Sequence, residues 1–326
     1  MITIGIESTA HTFGVAVLKD MKVLSNCKDS YTTKQGGMIP NKTAEHHVEV
    51  CDKVYLDALK TAKISSEDID LIAFSQGPGI GHCLKIGASF ARSLSLLLKK
   101  PLIGVNHCIA HLEIGRLEGA KDPILLYASG ANTQIIAYDG GKYRIFGETL
   151  DNGIGNFLDS FGRDLGLGFP AGPAIDKLAQ KGRNYIELPY VVKGMDVSFG
   201  GIYTNVKHKI QSKKYKTEDL CYSVQETAFA MLLEVAERAM AHCEKNELVL
   251  GGGVACNTRL KEMAKIMCKD RGAKCFIPEN QFLVDNAAMI GLTGYFMYKA
   301  GNRTSIKNSE IRPYERTDDV EVNWRG

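Results

Sequence analysis

The sequence predicts an α/β protein built from two related lobes, because the same pattern of elements occurs twice. Each half begins with an apolar strand, a turn of small polar residues and a second strand, at 2–7 and 13–18 and again at 124–128 and 133–138. Strands and helices then alternate, which is typical of layered α/β folds. With 326 residues, 44% of them hydrophobic, the chain is long enough to bury a core in each half.

The other elements follow from hydrophobic periodicity and from the positions of glycine and proline. The first half also contains predicted helices at 43–62 and 85–98 and strands at 70–75 and 102–105. The second half adds strands at 142–146, 247–250 and 274–277, helices at 155–165, 173–181, 217–245, 257–270 and 286–299, and an irregular loop at 185–204. We place the N-terminal lobe at 1–106 and the C-terminal lobe at 107–299, and we expect the tail, 300–326, to pack back on the N-terminal lobe.

Net charge, cysteine spacing and the length of the apolar runs limit the classes of protein to which the chain can belong. The formal net charge of +3 is too small to indicate nucleic-acid binding by itself, although lysines cluster at 207–216 and arginines in the tail. The nine cysteines form no C-x-x-C, which favours reduced thiols in a cytoplasmic protein over a disulfide framework. No apolar run reaches the ~18–20 residues of a membrane span, and the N-terminus lacks the basic start of a secretion signal.

Three turns of small residues, at 7–12, 127–134 and 250–257, allow close approach to a nucleotide. Each turn alone is also typical of tight packing. No G-x-x-x-x-G-K-[ST] occurs, and no G-x-G-x-x-G follows the first strand. One phosphate hairpin in each lobe, followed by a late triple-glycine turn, is instead the layout of the two-lobed actin/Hsp70/hexokinase-like (ASKHA) fold. That fold class predicts a nucleotide and metal cleft between the lobes.

His107 and His111 form an H-x-x-x-H pair directly after the strand at 102–105. Residues spaced i, i+4 on a helix share one face, with about 5–6 Å between their Cβ atoms. Imidazole is a common metal ligand, so the pair predicts a shared divalent metal; two helix histidines without a metal are the alternative. A zinc protease requires H-E-x-x-H, and here Cys108, Ile109 and Ala110 separate the histidines, which disfavours peptide hydrolysis.

Several other residues are candidates for the same chemistry. Asp285 could supply the oxygen ligand that two imidazoles lack, or could N-cap the last helix. Asp159 and Asp176 lie on predicted helices beside a loop at 168–173, where solvated carboxylates are also common. His46 and His47 form a secondary metal candidate, but adjacent helical residues point apart and should not bind one ion together.

The motifs taken in order resemble those of the tRNA N6-adenosine threonylcarbamoyltransferase family over nearly the whole chain. They lie at 75–79, 106–111, 127–134, 193–196, 222–226, 251–257 and 316–322. The tyrosine at 127 and the Arg-Thr-Asp at 316–318 resemble the archaeal and eukaryotic branch, whose members work in the KEOPS complex. The first turn, Ser-Thr-Ala-His at 8–11, departs from the usual pattern.

The resemblance implies transfer of the threonylcarbamoyl group from threonylcarbamoyl-AMP to N6 of adenosine 37, in tRNAs that read codons beginning with A. It implies one divalent metal, Fe²⁺ in the first place and Zn²⁺ as the alternative, held by His107, His111, Tyr127 and Asp285. It also implies a set of nucleotide contacts. These are Tyr127, Ala128, Ser129, Gly130, Ala131, Asp159, Gly172, Asp176 and Asn257. No side chain stands out as a covalent nucleophile or general base.

The resemblance further implies tRNA and KEOPS subunits as partners. Some relatives carry a fused kinase domain that we do not expect in this chain, so a separate kinase-like protein and a small dimerisation subunit are implied. Two other functions stay open on the residues themselves. An actin-like ATPase or kinase-type subunit would use acidic phosphate-loop residues without paired histidines, and a non-catalytic scaffold subunit would need no metal ligands.

Overall fold

Two five-stranded mixed sheets form the framework of the structure, a computed structural model that describes residues 1–33 and 38–325. In chain order the strands are β1 (Ile2–Glu7), β2 (Thr12–Lys19), β3 (Lys22–Ser30), β4 (Leu71–Gly77), β5 (Leu102–Asn106), β6 (Ile124–Ala128), β7 (Thr133–Asp139), β8 (Lys142–Glu148), β9 (Val192–Lys193), β10 (Asp196–Val197), β11 (Glu247–Gly251) and β12 (Lys274–Phe276). The α-helices are α1 (Pro40–Ala62), α2 (Gly81–Leu98), α3 (His107–Glu113), α4 (Ile154–Asp164), α5 (Gly172–Ala179), α6 (Gly200–Ser212), α7 (Thr217–His242), α8 (Thr258–Asp270), α9 (Asn280–Leu283) and α10 (Ala287–Lys299). Among the described residues, no helix is long and apolar enough to cross a membrane.

The two sheets share one topology. The first has the strand order β3-β2-β1-β4-β5 and the second β8-β7-β6-β11-β12. In each sheet an antiparallel meander of three strands is extended by two parallel strands. This confirms the predicted α/β class and accounts for the repeated sequence pattern. In open sheets with parallel strands, ligands bind beyond the carboxyl ends of those strands, which here are the ends of β1, β4 and β5 and of β6, β11 and β12.

Side chains alternate between the two faces of the first sheet, as the two-residue period of a strand requires. In β4, Ile72 and Phe74 join the apolar cluster under α1 and α2, whereas Leu71 and Ala73 join the cluster under α3 and α10. Helices cover both faces, which is why β1 and β4 are buried along nearly their whole length.

Helix α10 packs against the first sheet although it follows the strands of the second sheet in the chain. It contacts β1, β2, β4 and β5. A Cβ atom on Gly5 would collide with the carbonyl of Ala287 and the amide of Gly291, so β1 and α10 meet backbone to backbone. The division of the chain at residue 106 stays a prediction, but α10 lies with the first sheet and not with the second.

Alternation in the second sheet decides which residues face α3. Ile124 and Leu126 of β6 point into the large cluster formed with α4, α5, α7 and α8, whereas Leu125 and Tyr127 point to the opposite face. That opposite face is covered by α3 and by tail residues that include Trp324. Helix α3 also contacts α10 and therefore lies between the two sheets.

The sequence predicted that the tail packs back on the N-terminal lobe, but in the structure the tail contacts both sheets. Its first part follows the first sheet, since Thr304 N donates to Leu102 O at 2.9 Å and Arg312 N donates to Gln76 O at 2.8 Å. Its last part lies against the second sheet, where the rings of Trp324 and Tyr143 are 6.2 Å apart. The tail thus runs from one sheet to the other beside α3.

Strand β3 was not predicted because it is an edge strand with a mixed pattern. Its residues, KVLSNCKDS, do not alternate between apolar and polar, and only Ser25 among them is fully buried. Helices α1 and α2 begin at Pro40 and Gly81, a few residues before their predicted starts.

The irregular loop predicted at 185–204 instead contains β9, β10 and the start of α6. That helix begins at Gly200-Gly201, which are signals for a turn. Its first amides are satisfied by a distant residue, because the Asp151 carboxylate accepts hydrogen bonds from Phe199 N at 3.0 Å and Gly200 N at 2.7 Å. The residues at the start of α6 therefore do not themselves indicate that a helix begins there.

Candidate metal and nucleotide site

The histidine pair lies at the start of α3, directly after β5. Asn106 caps the helix, since its side-chain oxygen accepts hydrogen bonds from Cys108 N at 3.0 Å and Ile109 N at 3.2 Å. The Asn106 amide group also donates to the tail residue Glu315 at 3.0 Å. All seven residues of α3 are buried, so the two imidazoles face the protein interior and not the solvent.

His107, His111 and Asp285 converge on one point. Asp285 Oδ1 lies 3.4 Å from His107 Nε2 and 3.6 Å from His111 Nε2, and one ligand atom from each residue lies within 4.8 Å of the others. His111 is fully buried, yet neither ring nitrogen has a hydrogen-bond partner among the described residues. A buried polar atom without a partner costs free energy, so this arrangement fits a ligand held between the three side chains.

Asp285 does not cap α10, which was the alternative predicted for it. The cap is the next residue, Asn286, whose side-chain oxygen accepts a hydrogen bond from Met289 N at 3.0 Å. The Asn286 amide group donates to Val284 O at 2.9 Å and to Phe282 O at 3.1 Å, which fixes the turn before the helix. The Asp285 carboxylate is therefore left to face the histidines.

Tyr127 completes the group because of its position in β6. Alternation directs its side chain towards α3, and its hydroxyl lies 3.1 Å from His107 Nε2. Its ring centroid lies 4.7 Å from that of His111. Burial raises the pKa of the Tyr127 phenol, so a phenolate would need a compensating cation beside it.

The titratable groups at this point shift one another's pKa values. Burial lowers the pKa of His107, but Glu7, Tyr127 and Asp285 outweigh burial and raise the pKa well above its usual value. Burial raises the pKa of Asp285, but the nearby imidazoles of His107 and His111 outweigh burial and hold the pKa well below the usual range. Burial lowers the pKa of His111. An anionic carboxylate beside a neutral His111 is the donor set expected for a divalent cation.

Glu7 is a component of the site that sequence analysis missed. It ends β1, is fully buried, and places Oε2 3.0 Å from His107 Nδ1. Its other oxygen accepts hydrogen bonds from Thr9 N, at 2.7 Å, and from the Thr9 hydroxyl. A glutamate at the end of a predicted buried strand was the available signal, since buried carboxylates are rare unless paired.

The second hairpin, residues 128–132, offers backbone amides beside the metal candidate. Its carbonyls are engaged, because Ser129 O accepts from Gly155 N and Gly130 O from Asn156 N, both at 2.9 Å. The amides of Gly130 and Ala131 have no hydrogen-bond partner in the described part of the chain. These amides are available as hydrogen-bond donors to an anion, which is the role that the sequence predicts for this turn.

The acidic and glycine candidates line the region around α5. Asp159 Oδ1 accepts a hydrogen bond from Ala171 N at 2.8 Å, and burial raises the Asp159 pKa. A Cβ atom on Gly172 would meet nothing within 4 Å, so this residue borders open space. Asp176 Oδ2 accepts from the Thr258 hydroxyl at 3.0 Å, whereas Asp176 Oδ1 is buried without a partner among the described residues.

Asn257, a predicted nucleotide contact, has a structural role in the fold. Its side-chain oxygen caps α8 by accepting from Arg259 N at 2.9 Å and Leu260 N at 3.2 Å, and its amide group donates to Gln225. The side-chain oxygen is thus fully engaged, whereas one hydrogen of the amide group has no partner among the described residues. A nucleotide contact from this residue would come from its backbone or from the edge of its side chain.

The first turn is less available to a phosphate than the sequence predicted. The amide of Ser8 donates to the Ser75 hydroxyl at 3.0 Å, and the amide of Thr9 donates to Glu7. In the third turn, Gly252 has φ of +90° and a Cβ there would collide with the Ala128 carbonyl, so this glycine serves close packing on β6.

Comparison with known proteins decides the family. The family model TsaD, tRNA N6-adenosine threonylcarbamoyltransferase, matches residues 22–292. The chain is 55% identical over 324 residues to the tRNA N6-adenosine threonylcarbamoyltransferase of Thermococcus kodakarensis, which covers 99% of this chain and 100% of that protein. It is 50% identical over 325 residues to the same enzyme of Archaeoglobus fulgidus, and the match covers 99% of this chain and 100% of that protein.

The chain belongs to the tRNA N6-adenosine threonylcarbamoyltransferase family. The predicted family, activity and enzyme class are thereby confirmed. A further relative, the probable bifunctional tRNA threonylcarbamoyladenosine biosynthesis protein of Methanosarcina mazei, is 50% identical over 98% of this chain but only 59% of that protein.

More distant solved structures share the fold of this threonylcarbamoyltransferase. HypF of Thermococcus kodakarensis matches with a TM-score of 0.64 at 14% identity, over 92% of this chain and 48% of that one. The activator of the 2-hydroxyisocaproyl-CoA dehydratase from Clostridium difficile matches with a TM-score of 0.57 at 13% identity, over 92% and 96%. At such identities the likeness concerns the fold alone.

The two basic clusters of this threonylcarbamoyltransferase differ in how many of their cationic side chains form ion pairs. In the tail, Arg325 pairs with buried Glu113 at 2.8 Å, and Arg316 pairs with Glu148 at 3.5 Å. Around the end of α6, four lysines are exposed and have no ion-pair partner among the described residues. These are Lys207, Lys213, Lys214 and Lys216. The α6 cluster therefore presents free cations to a polyanion, and so do Arg303 and Lys307 of the tail, which are exposed and form no ion pair among the described residues.

The sequence predicted that the side chains of His46 and His47 point apart, but in the structure they approach each other. Their Nδ1 atoms approach to 3.4 Å, and His46 Nε2 lies 2.9 Å from Asp29 Oδ1. Among the described residues they form no third-ligand cluster of the kind seen at Asp285. His47 is fully buried against Phe13, with ring centroids 5.6 Å apart.

We expect His47 to make this enzyme acid-sensitive. Burial, reinforced by His46, lowers the His47 pKa from 6.5 to about 4. Between these values the unfolded chain binds a proton that the folded chain does not, so stability falls as the pH drops from about 6.5 to 4, by at most about 1.4 kcal/mol per pH unit. Urea unfolding from pH 7 to 4.5 should show a shallower loss in His47→Gln than in the wild type. The exposed His208→Gln is the control, and equal pH slopes in all three proteins would contradict the assignment.

Proposed function

We propose that this enzyme transfers the threonylcarbamoyl group from threonylcarbamoyl-AMP to N6 of adenosine 37, in tRNAs that read codons beginning with A. Membership of the family supports the reaction class. The observation that carries the mechanism is the convergence of His107 and His111 on Asp285, with both nitrogens of buried His111 lacking a hydrogen-bond partner among the described residues.

We propose one divalent metal at this point, held by His107, His111 and Asp285 with Tyr127 as a further oxygen ligand. Two imidazoles and oxygen donors suit Fe²⁺ or Zn²⁺, and the family resemblance favours Fe²⁺. When bound, the metal would act as a Lewis acid that polarises the acyl-adenylate. The residues themselves exclude water, because His107, His111 and Tyr127 are all buried.

The nucleotide is proposed to lie between the second hairpin and α5. The unbonded amides of Gly130 and Ala131 would bind the phosphate and stabilise the negative charge that develops on it when AMP leaves. Gly172 borders open space, and the unpartnered Asp176 Oδ1 and the Asp159 carboxylate are suited to accept hydrogen bonds from ribose hydroxyls. The remaining contacts are proposed from Tyr127, Ala128, Ser129 and Asn257.

These positions correspond to the cleft of an actin/Hsp70/hexokinase-like fold, with one sheet in each lobe. The common strand order of the two sheets supports this proposal, as does the placement of Glu7, Asn106 and Ala128 at carboxyl ends of strands. Helix α3 then joins the lobes at the floor of the cleft.

The proposed partners are tRNA and the KEOPS subunits, including a separate kinase-like protein and a small dimerisation subunit, in the cytoplasm. The fused relative in Methanosarcina mazei, named as bifunctional, supports a functional link to a second activity. The exposed lysines around the end of α6 supply a surface for the tRNA backbone. The adenine to be modified must be unstacked before its amine can reach a buried site.

Reconstitution tests this proposal. The chain, loaded with Fe²⁺ or Zn²⁺, would be incubated with threonylcarbamoyl-AMP, tRNA and partner subunits, and nucleosides would be analysed by mass spectrometry. We expect threonylcarbamoyladenosine from the wild type and none from His107→Ala/His111→Ala. A tRNA with guanosine at position 37 is the substrate control. Full activity of the double variant would contradict the metal-centred mechanism, and ATP turnover without modified tRNA would favour an actin-like ATPase instead.

A further inference from the structure

We propose that Glu7 is a positioning residue that sets the orientation of His107 in the metal site. The inference rests on the metal centre of the proposed function. Glu7 lies at the carboxyl end of β1, on the strand face that carries Gly5 and is directed to α10 and α3. Because β1, β4 and β5 run parallel, the end of β1 is brought close to the residue that follows β5, which is His107.

The carboxylate of Glu7 has few partners. It is fully buried, and among the described residues it forms no ion pair with a lysine or arginine; its one titratable partner is His107, at 3.0 Å. A buried carboxylate without compensation is costly, so its hydrogen bonds must repay its desolvation. They come from His107 on Oε2 and from the amide and hydroxyl of Thr9 on Oε1.

This contact fixes which nitrogen of His107 is directed at the metal candidate. An ionised carboxylate only accepts hydrogen bonds, so His107 Nδ1 donates its proton to Glu7. His107 Nε2 is then directed at Asp285 Oδ1, 3.4 Å away, and at the Tyr127 hydroxyl, 3.1 Å away. A histidine whose second nitrogen donates to a carboxylate is oriented and made more basic as a metal ligand.

The same carboxylate links the metal ligand to the first hairpin. Thr9 donates hydrogen bonds to Glu7 from both its amide and its hydroxyl. The Thr9 hydroxyl also lies 3.3 Å from His107 Nδ1, and the Thr9 carbonyl accepts a hydrogen bond from Ile80 N at 2.7 Å. His111 has no equivalent, because its Nδ1 is unpartnered among the described residues. Glu7 therefore orients one of the two histidine ligands, and its loss should affect metal affinity more than the overall fold.

The test compares Glu7→Gln with the wild type. Glutamine keeps the volume but has one oxygen for the three donors that Glu7 now satisfies. We expect the dissociation constant for Zn²⁺, measured by competition with a chromophoric chelator, to rise about 10- to 100-fold. The visible absorption of the Co²⁺-loaded protein should change as the His107 ligand shifts. Thr3→Val is the matched control, because Thr3 lies on the same face of β1, is fully buried, and has a hydroxyl without a partner among the described residues.

The outcomes separate this inference from the proposed function. If the wild type binds no metal stoichiometrically, the proposed metal centre fails. If the wild type binds metal and Glu7→Gln matches it in affinity and Co²⁺ spectrum, Glu7 has no positioning role. Circular dichroism checks that the variant folds. Should it not fold, Glu7→Asp retains the charge with a shorter reach, and we expect weaker binding than in the wild type; equal binding would overturn the inference.

Discussion

Replacing Asp285 with asparagine is expected to lower threonylcarbamoyl transfer by about 1,000-fold and to remove tightly bound metal. Asp285 is the only oxygen ligand of the candidate site that carries a full negative charge, and it faces both His107 and His111 within 3.6 Å. A metal that polarises the reacting group contributes several kcal/mol to lowering the barrier. A loss of about 4 kcal/mol corresponds to about 1,000-fold in rate.

The measurement for Asp285→Asn is the rate of threonylcarbamoyladenosine formation in the reconstituted system, together with metal content by mass spectrometry. Glu279→Gln is the matched control, because it removes one negative charge from the same segment at an exposed position. We expect the control to retain metal and activity. Asp285→Asn with stoichiometric metal and a rate within tenfold of the wild type would show that the carboxylate is not a ligand.

The candidate metal site could be located from the sequence because the pattern that brings His107 and His111 together is local and helical. Asp285 was ambiguous, since an aspartate beside a helix start also suggests a cap, and only the structure shows that Asn286 takes that role. Tyr127 entered through the family resemblance. Its physical reason is the period of β6, which turns Tyr127 towards α3 and its neighbour Leu126 away.

Features that depend on pairing between distant segments were missed. Glu7 approaches His107 only because β1, β4 and β5 lie parallel in one sheet, and the sequence does not state which strands are neighbours. Helix α6 depends on Asp151, about fifty residues earlier in the chain, for its N-terminal hydrogen bonds. Hydrophobic periodicity in the sequence predicts the order of strands and helices and which strand residues share a face of the sheet. It does not predict contacts between residues that lie far apart in the chain.

Both ends of α3 are held by buried carboxylates, which the sequence did not indicate. Glu7 bonds His107 at its start, and Glu113 ends the helix in a fully buried position. Glu113 Oε1 accepts from Arg325 Nε at 2.8 Å and from the Tyr143 hydroxyl, while Arg116 Nε lies 2.6 Å from Oε2. The tail therefore contributes Arg325 to the support of the helix that carries both candidate histidine ligands.

We expect Glu113→Gln to lower the free energy of unfolding by about 3–5 kcal/mol. Removing one member of a buried ion pair leaves the other charge desolvated without compensation. Here that group is Arg325, whose side chain is only 5% exposed and which would keep just the longer ion-pair contact with the exposed Asp122, at 3.4 Å. Urea unfolding followed by circular dichroism measures the loss. The single tryptophan, Trp324, precedes Arg325 and packs on Tyr143, so its fluorescence should report release of the tail.

Two further variants separate the effect of the ion pair from the loss of packing. Glu113→Gln/Arg325→Met removes both charges and should cost less than the sum of the single changes, since the desolvated charge is then absent. Arg144→Ala breaks an exposed pair with Asp139 and should cost less than about 1 kcal/mol. Because α3 carries His107 and His111, the Glu113→Gln variant should also bind Zn²⁺ more weakly. Wild-type stability and metal affinity in that variant would show that the tail does not support the site.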